Sequence, residues 1–228
     1  GAWAVMASVE TATGGVDLGT GIAVSADGPE KRRTIRVNKV SVRGSDSLLE
    51  HLRVVWLTPS MDGLFTGPAS DRRRFLDRLI LCFDPSYRTR VGHFERAMAQ
   101  RNRALADGVQ EHSRFEGLER VMAETGTAIA AARSEAVAQL AATIDARRTR
   151  DQASPFPWAA IVIEGALERE LSQRPAVDVE DTYFKALRQG RERDRAGGRA
   201  LEGPHRSDLA VSHGPKSMPA RQCSTGEQ

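Results

Sequence analysis

Lysine is nearly absent from this chain: Lys31, Lys39, Lys185 and Lys216 are the only four among 33 basic residues, and arginine supplies the rest. No Gly-Lys pair occurs anywhere, so a phosphate-cradling G-x-x-x-x-G-K-[ST] loop, which needs its lysine on the phosphates, is excluded from this stretch. Cysteine is equally sparse. Cys82 and Cys223 lie far apart, with no CxxC or His-spaced partner, which argues against a zinc site or a disulfide scaffold and makes the cytoplasm the default compartment. Apolar runs such as Ala159 to Val162 fall far short of the ~20 residues of a membrane span, and "GAWAVMASVE" has no basic start resembling a signal peptide. The net charge of +3 permits an acidic partner without demanding one, because a patch and not a total binds phosphate. The arginine bias has two readings, the base composition of the coding sequence or selection for phosphate contacts.

What the chain does have is a change of texture along its length. From Gly1 to Arg43, the runs Trp3 to Val9, Val16 to Val24 and Thr34 to Val42 are separated by Gly14-Gly15 and Ala26-Asp27-Gly28-Pro29, which predicts a half-buried β-meander. Ser45 is placed to cap a short helix with Leu48, Leu49 and Leu52, and "RVVWLTP" reads as a buried strand stopped by proline. The period then changes. Phe75, Leu76, Leu79, Ile80 and Phe83 recur at helical spacing, with Ser70 or Asp71 placed as the cap, and Pro85 separates this helix from the next. Leu118, Met122, Thr125, Ile129, Ala132, Ala136, Leu140 and Ile144 step by fours and threes, which predicts either an antiparallel coiled-coil-like arm or an amphipathic helix on a globular core. After a charged, proline-broken linker, "WAAIVIEG" reads as a strand returning to the sheet. Asp178 to Arg195 reads as a helix ended by Gly197-Gly198, and "EGPHRSDLAV" as a turn leading into a strand. The order implies an α/β body with an inserted helical lobe. Trp3, Trp56 and Trp158 each lie in or beside an apolar run and are expected in the core.

Three groups of residues are candidates for chemistry. Ser224-Thr225-Gly226-Glu227-Gln228 contains the Ser-x-x-Glu pattern of a capping box, and a serine hydroxyl with glycine-exposed N–H groups at a helix start suits an anion. A plain helix cap is its bland alternative. Arg72, Arg73 and Arg74 in "DRRRFLD" are either contacts to DNA phosphates or an ion-paired helix face with Arg73 opposite Asp77; no aromatic residue interleaves to stack bases. His205 and Arg206 lie in "LEGPHRSDLAV", where the family resemblance given next implies an approach to a polyphosphate, and the alternative for Arg206 is an ion pair with Asp208 or Glu202. His93, His112 and His213 lack metal-ligand spacing, and Ser207 beside His205 lacks a nucleophile elbow, so none is assigned catalysis or metal binding.

Four stretches in order, "LTPSMDGLFTGPASDRRRFLDRLI", "FERAMAQRNRAL", "LEGPHRSDLAV" and "MPARQCSTGEQ", resemble the RecF family of DNA replication and repair proteins, over essentially the whole chain. The resemblance implies an ABC-type ATPase head related to those of Rad50 and SMC proteins. Residues 1–60 would be the β-rich part of lobe I, 61–157 the helical lobe II with its short arm, and 158–228 the return to the lobe ending at the ABC signature motif. It further implies that Ser224, Thr225, Gly226, Glu227 and Gln228 contact the γ-phosphate of ATP held by a partner subunit, so that ATP joins two heads. DNA at gaps and single-strand/double-strand junctions, RecR, RecO and indirectly RecA are the implied partners, and ATP with Mg²⁺ the implied cofactors of the intact protein. Where this family would carry a glutamine after Trp56, Ser60 stands instead. With neither the phosphate-binding loop nor an apolar strand ending in Asp-Glu, the chain reads as an internal fragment, expected neither to bind nor to hydrolyse ATP by itself. The competing readings are a non-enzymatic coiled-coil interaction module and another Rad50- or SMC-like head, the latter disfavoured by the short Pro85 to Pro155 excursion.

Overall fold

The computed structural model describes residues 2–11, 14–22, 33–48, 50–56, 58, 61–109, 111–154, 156–224 and 226–227. The chain divides into two compact units, 1–56 and 57–228.

In the first unit, β1 (Trp3–Thr11), β2 (Gly14–Ile22), β3 (Arg33–Val37) and β4 (Val40–Val42) form an antiparallel sheet in sequence order, the expected meander. The run from Thr34 to Val42 is two strands and not one. Asn38 and Lys39 turn the chain with φ of +49° and +69°, the paired left-handed conformation of a tight hairpin, and Asn38 exchanges hydrogen bonds with the Asp17 backbone at 2.7 and 2.9 Å. Leu18 and Ile35 are the buried residues of this sheet. Ser45–Leu48 is a 3-10 turn; Leu49 lies outside the described residues.

"RVVWLTP" departs from expectation. Residues 53–56 join neither sheet, and Val54, Val55 and Trp56 are exposed, because the described residues offer this apolar run no neighbouring strand. Trp3 is exposed too, and Trp158 only half-buried, so the expectation of three core tryptophans fails. Ser60 lies outside the described residues.

The second unit is built around one long helix. Helix α1 (Ala69–Leu81) leads to α2 (Tyr87–Ala106) and α3 (His112–Arg150). Pro68 stands at the N-cap of α1 without a side-chain bond; Ser70 and Asp71 fall inside the first turn instead, where the Asp71 charge still favours the helix dipole. Leu76 and Ile80 are buried as expected, whereas Phe83 lies past the helix end and is exposed. Helices α2 and α3 run antiparallel: Leu105 packs near Phe115, Arg101 meets Glu119, and Phe94 approaches Gly126. The predicted seam from Leu118 to Ile144 is buried or half-buried throughout. Burial from Phe115 to Val137 also takes in Glu119, Ala123, Gly126, Thr127, Ala130 and Arg133, because α1, α4, α5 and β5 pack on the same helix.

β5 (Ala159–Glu164) alternates half-buried and exposed residues, turning Ile161 and Ile163 to the core. It does not return to the first sheet. It pairs antiparallel with β6 (Asp208–His213), which pairs with the short β7 (Met218–Pro219), in a separate three-stranded sheet. Between them lie α4 (Ala166–Leu171), which periodicity did not reveal, α5 (Ala176–Gln189) and α6 (Arg191–Gly197). Gly190 splits the single helix expected from Asp178 to Arg195, serving as the C-cap of α5 and the N-cap of α6. Gly198, at φ +66°, ends α6 in the left-handed conformation that glycine allows.

Candidate functional site

Helix α1 and the 3-10 turn at Pro204–Arg206 bring two of the predicted groups together. Arg72 donates to both carboxylate oxygens of Asp208 at 2.8 Å, and its Nη1 reaches the carbonyls of Leu64, Phe65 and Gly67 at 3.2, 3.3 and 2.7 Å. One guanidinium thereby ties the loop before α1, the helix and β6. Its pKa is raised, chiefly by the hydrogen bond to Asp208. Arg73 donates to the Ser207 carbonyl at 2.6 Å; burial lowers its pKa first, and the charges of Arg133 and Arg206 lower it further.

Asp77 is not the partner of Arg73 that helical spacing implied. It accepts from Arg133 Nε and Nη2 at 2.9 and 3.0 Å and from the Tyr87 hydroxyl at 2.6 Å, because α1 turns that face toward α2 and α3. Arg74 pairs with Asp71 one turn away and keeps its side chain 75% exposed.

His205 is half-buried, with Nε2 3.0 Å from the Ala200 carbonyl and its ring 5.9 Å from Phe94. Burial lowers its pKa most, the Ala200 bond opposes this, and Arg206 and Arg73 lower it again, so the imidazole is neutral at pH 7. Its buried Nδ1 has no hydrogen-bond partner among the described residues. Arg206 is exposed, and neither ion pair weighed for it forms: Asp208 is taken by Arg72 and Glu202 by Arg193, at 2.5 Å. Of the candidate cations, Arg206 is therefore the one whose charge is uncommitted among the described residues.

Sequence reasoning missed the polar groups beneath this turn. Ser207 donates to Glu168 Oε1 at 2.6 Å, both residues being buried, while Glu168 Oε2 lies so close over Gly165 that a Cβ there would fall 1.9 Å from it. Fully buried Arg101 donates to Glu119 at 3.0 Å, Asp194 at 2.7 Å and the Leu187 carbonyl at 2.7 Å, and Arg191 completes the Glu119 carboxylate. No local pattern marks these residues, since their partners lie up to 93 positions away.

Ser224 and Glu227 of the C-terminal group are tied to Lys216, in the turn that follows β6, whereas Arg72 holds Asp208 at the start of β6, and no hydrogen bond or ion pair among the described residues joins the two groups. Glu227 Oε2 accepts from the Ser224 N–H at 3.1 Å and the Ser224 hydroxyl at 2.9 Å, the reach-back of a capping box, and Oε1 accepts from Lys216. The bond from Lys216, followed by those from Ser224, holds the Glu227 pKa down at about 2, so the carboxylate stays charged. Gly226 is exposed; Thr225 and Gln228 lie outside the described residues. Three donors thus converge on one anion. Among the described residues no cluster of His, Cys, Asp or Glu could hold a metal ion, and no helix is long and apolar enough to cross a membrane.

No protein-family model matches the chain. It is 55% identical, over all 228 residues, to a DNA replication and repair protein RecF of Mesorhizobium japonicum, and 49% identical over 215 residues to that of Brucella abortus. The chain belongs to the RecF family. It spans 59% of the Mesorhizobium relative's length and 54% of the Brucella relative's. Two solved RecF structures share the fold of this RecF chain. One is described as the recombination mediator protein RecF-ATPrS in the RecFOR pathway, with TM-score 0.78 and 17% identity, and the other as RecF-ATP, with 0.77 and 19%. Each is matched over 99% of this chain and 59% of the solved one, and these likenesses bear on the fold alone. The α/β architecture, strands then helices then strands, is that of the corresponding part of RecF.

Proposed function

We propose that this chain supplies part of the ATPase head of a RecF protein acting in DNA replication and recombinational gap repair, with Ser224, Thr225, Gly226, Glu227 and Gln228 closing over the γ-phosphate of ATP held by a second copy. The observation that carries this is the anion cradle after β7, where the Ser224 N–H, the Ser224 hydroxyl and Lys216 converge on the Glu227 carboxylate. Donors that hold a carboxylate also serve a terminal phosphate, an anion with more negative charge and three acceptor oxygens. Ser224 and Lys216 would be the residues to hold the terminal phosphate of ATP, in the place of the Glu227 carboxylate they bind here. Mg²⁺ is the cofactor expected with ATP in the intact protein.

In this reading residues 1–60 belong to lobe I, 61–157 to the helical lobe, and 158–228 to the return that ends at the signature segment. Arg206 and Arg74, whose side chains face solvent, contact DNA phosphate, while Arg72, Arg73 and His205 position the turn that carries Arg206. ATP-driven dimerisation on single-strand/double-strand junction DNA, action with RecR and RecO toward RecA loading, and a cytoplasmic location complete the proposal.

The test uses a protein of the relatives' full length carrying this sequence. Ser224→Arg fills the cradle with a bulky cation; ATP binding should persist and ATP-dependent dimerisation, read by light scattering after gel filtration, should be lost. Dimerisation unchanged by the substitution removes the reading.

A further inference from the structure

A wide cleft opens in the second unit where α3 ends and β5 begins, outside the site described above. Its volume is about 1120 Å³, and Arg147, Arg148, Thr149, Phe156, Trp158 and Pro215 line it. That is larger than the roughly 300–1,000 Å³ typical of small-molecule sites, and the cleft lies open to solvent along one side.

Its chemistry combines flat surfaces with uncommitted positive charge. Phe156 is 75% exposed, an aromatic ring presented to solvent instead of packed. The Trp158 indole is held in place by the backbone at Gly214, where a Cβ would fall 2.2 Å from the ring, and the Arg148 guanidinium lies over it at 4.2 Å. A guanidinium spread over an indole is itself a stacking plane. Arg147 and Arg148, in the last turn of α3, form no ion pair among the described residues; Asp145 and Asp151 line the cleft as well and offset their charge, which leaves the aromatic planes as its distinguishing feature. Aromatic and guanidinium planes beside unpaired cations are what unstacked bases and their phosphates need, whereas duplex DNA keeps its base faces closed.

We infer that this cleft binds single-stranded nucleic acid, with bases stacking on Phe156 and on the Arg148–Trp158 pair and the phosphates following Arg147. The inference rests on the reading of the chain as part of a DNA-binding protein and adds where the unpaired strand of a junction lies. It also accounts for an aromatic site that the arginines of α1 lack.

The experiment compares a protein of the relatives' full length with its Phe156→Ala variant, which removes an exposed ring and leaves the core intact. In a Trp3→Phe, Trp56→Phe background, and with any further tryptophan of the longer chain replaced, the emission reports Trp158 alone. Oligothymidylate should quench that emission, blunt duplex of equal length should not, and Phe156→Ala should weaken oligothymidylate binding about tenfold while leaving duplex binding unchanged. DNA binding with no quenching and no effect of Phe156→Ala overturns this inference and leaves the wider reading standing. No binding of either DNA, with ATP present, overturns both.

Discussion

Arg72, Arg73 and Arg74 are consecutive, identical in chemistry and different in what the fold does with them. All three nitrogens of Arg72 are engaged by Asp208 and three carbonyls, Arg73 is directed at the Ser207 carbonyl, and Arg74, among the described residues, reaches its helical neighbour Asp71. A cation with every nitrogen engaged does not grip a phosphate without loosening what it holds. Removing one member of a largely buried, hydrogen-bonded pair leaves the other uncompensated. Arg72→Ala is therefore expected to cost about 2–3 kcal/mol of stability, whereas Arg206→Ala, at an exposed guanidinium, stays within about 0.5 kcal/mol. In DNA binding the order reverses: Arg206→Ala should lower the slope of log affinity against log salt by about one. Urea unfolding and a salt titration of DNA binding check the two halves. A stability loss at Arg206 as large as that at Arg72 would contradict the assignment.

Helix α3 is the element on which the second unit depends, and its amphipathic spacing understated its role. The step of fours and threes describes one stripe, and that stripe is buried. The helix takes neighbours on further sides as well, so small residues outside the stripe become contact points. Gly126 is the clearest case. A Cβ there would meet the Tyr183 ring at 2.9 Å, Phe94 at 3.2 Å and Pro204 at 3.4 Å, which brings α2, α5 and the Pro204 turn against one point of α3. In a solvent-facing helix, glycine to alanine would stabilise by about 1 kcal/mol. Here the added methyl forces three packed groups apart, so Gly126→Ala should destabilise by about 1–3 kcal/mol and lower the melting temperature. A raised melting temperature would show that α3 is looser at this point than the packing implies. In the sequence, Gly126 registers only as a weakness of the helix, because close approach is a property of the partners and not of the glycine.

At the scale of the whole molecule, the chain passes between its two units through an exposed apolar stretch. Residues 53–56 join no strand among the described residues, and Val54 and Val55 face solvent at the end of the first unit. Backbone outside a ladder is the backbone a protease can seat. Brief digestion with a low-specificity protease should cut first between about residues 50 and 58, leaving a resistant piece that mass spectrometry reads as starting there; first cuts within α3 would contradict the division. The order of elements and the meander were legible because hydrophobic period and turn residues act over a few positions, and the four ordered motifs carried the resemblance to RecF for the same local reason. The extra helix α4, the break at Gly190 and the second sheet were not legible, since each depends on what packs beside a short segment. By itself the sequence determined the types of the longer elements, the family and the residues worth testing. The tertiary structure decided which of those residues are spent on the fold: Arg72 meets an acceptor 136 positions away, and Arg206 has no ion pair among the described residues, the two carboxylates nearest it in sequence being paired elsewhere.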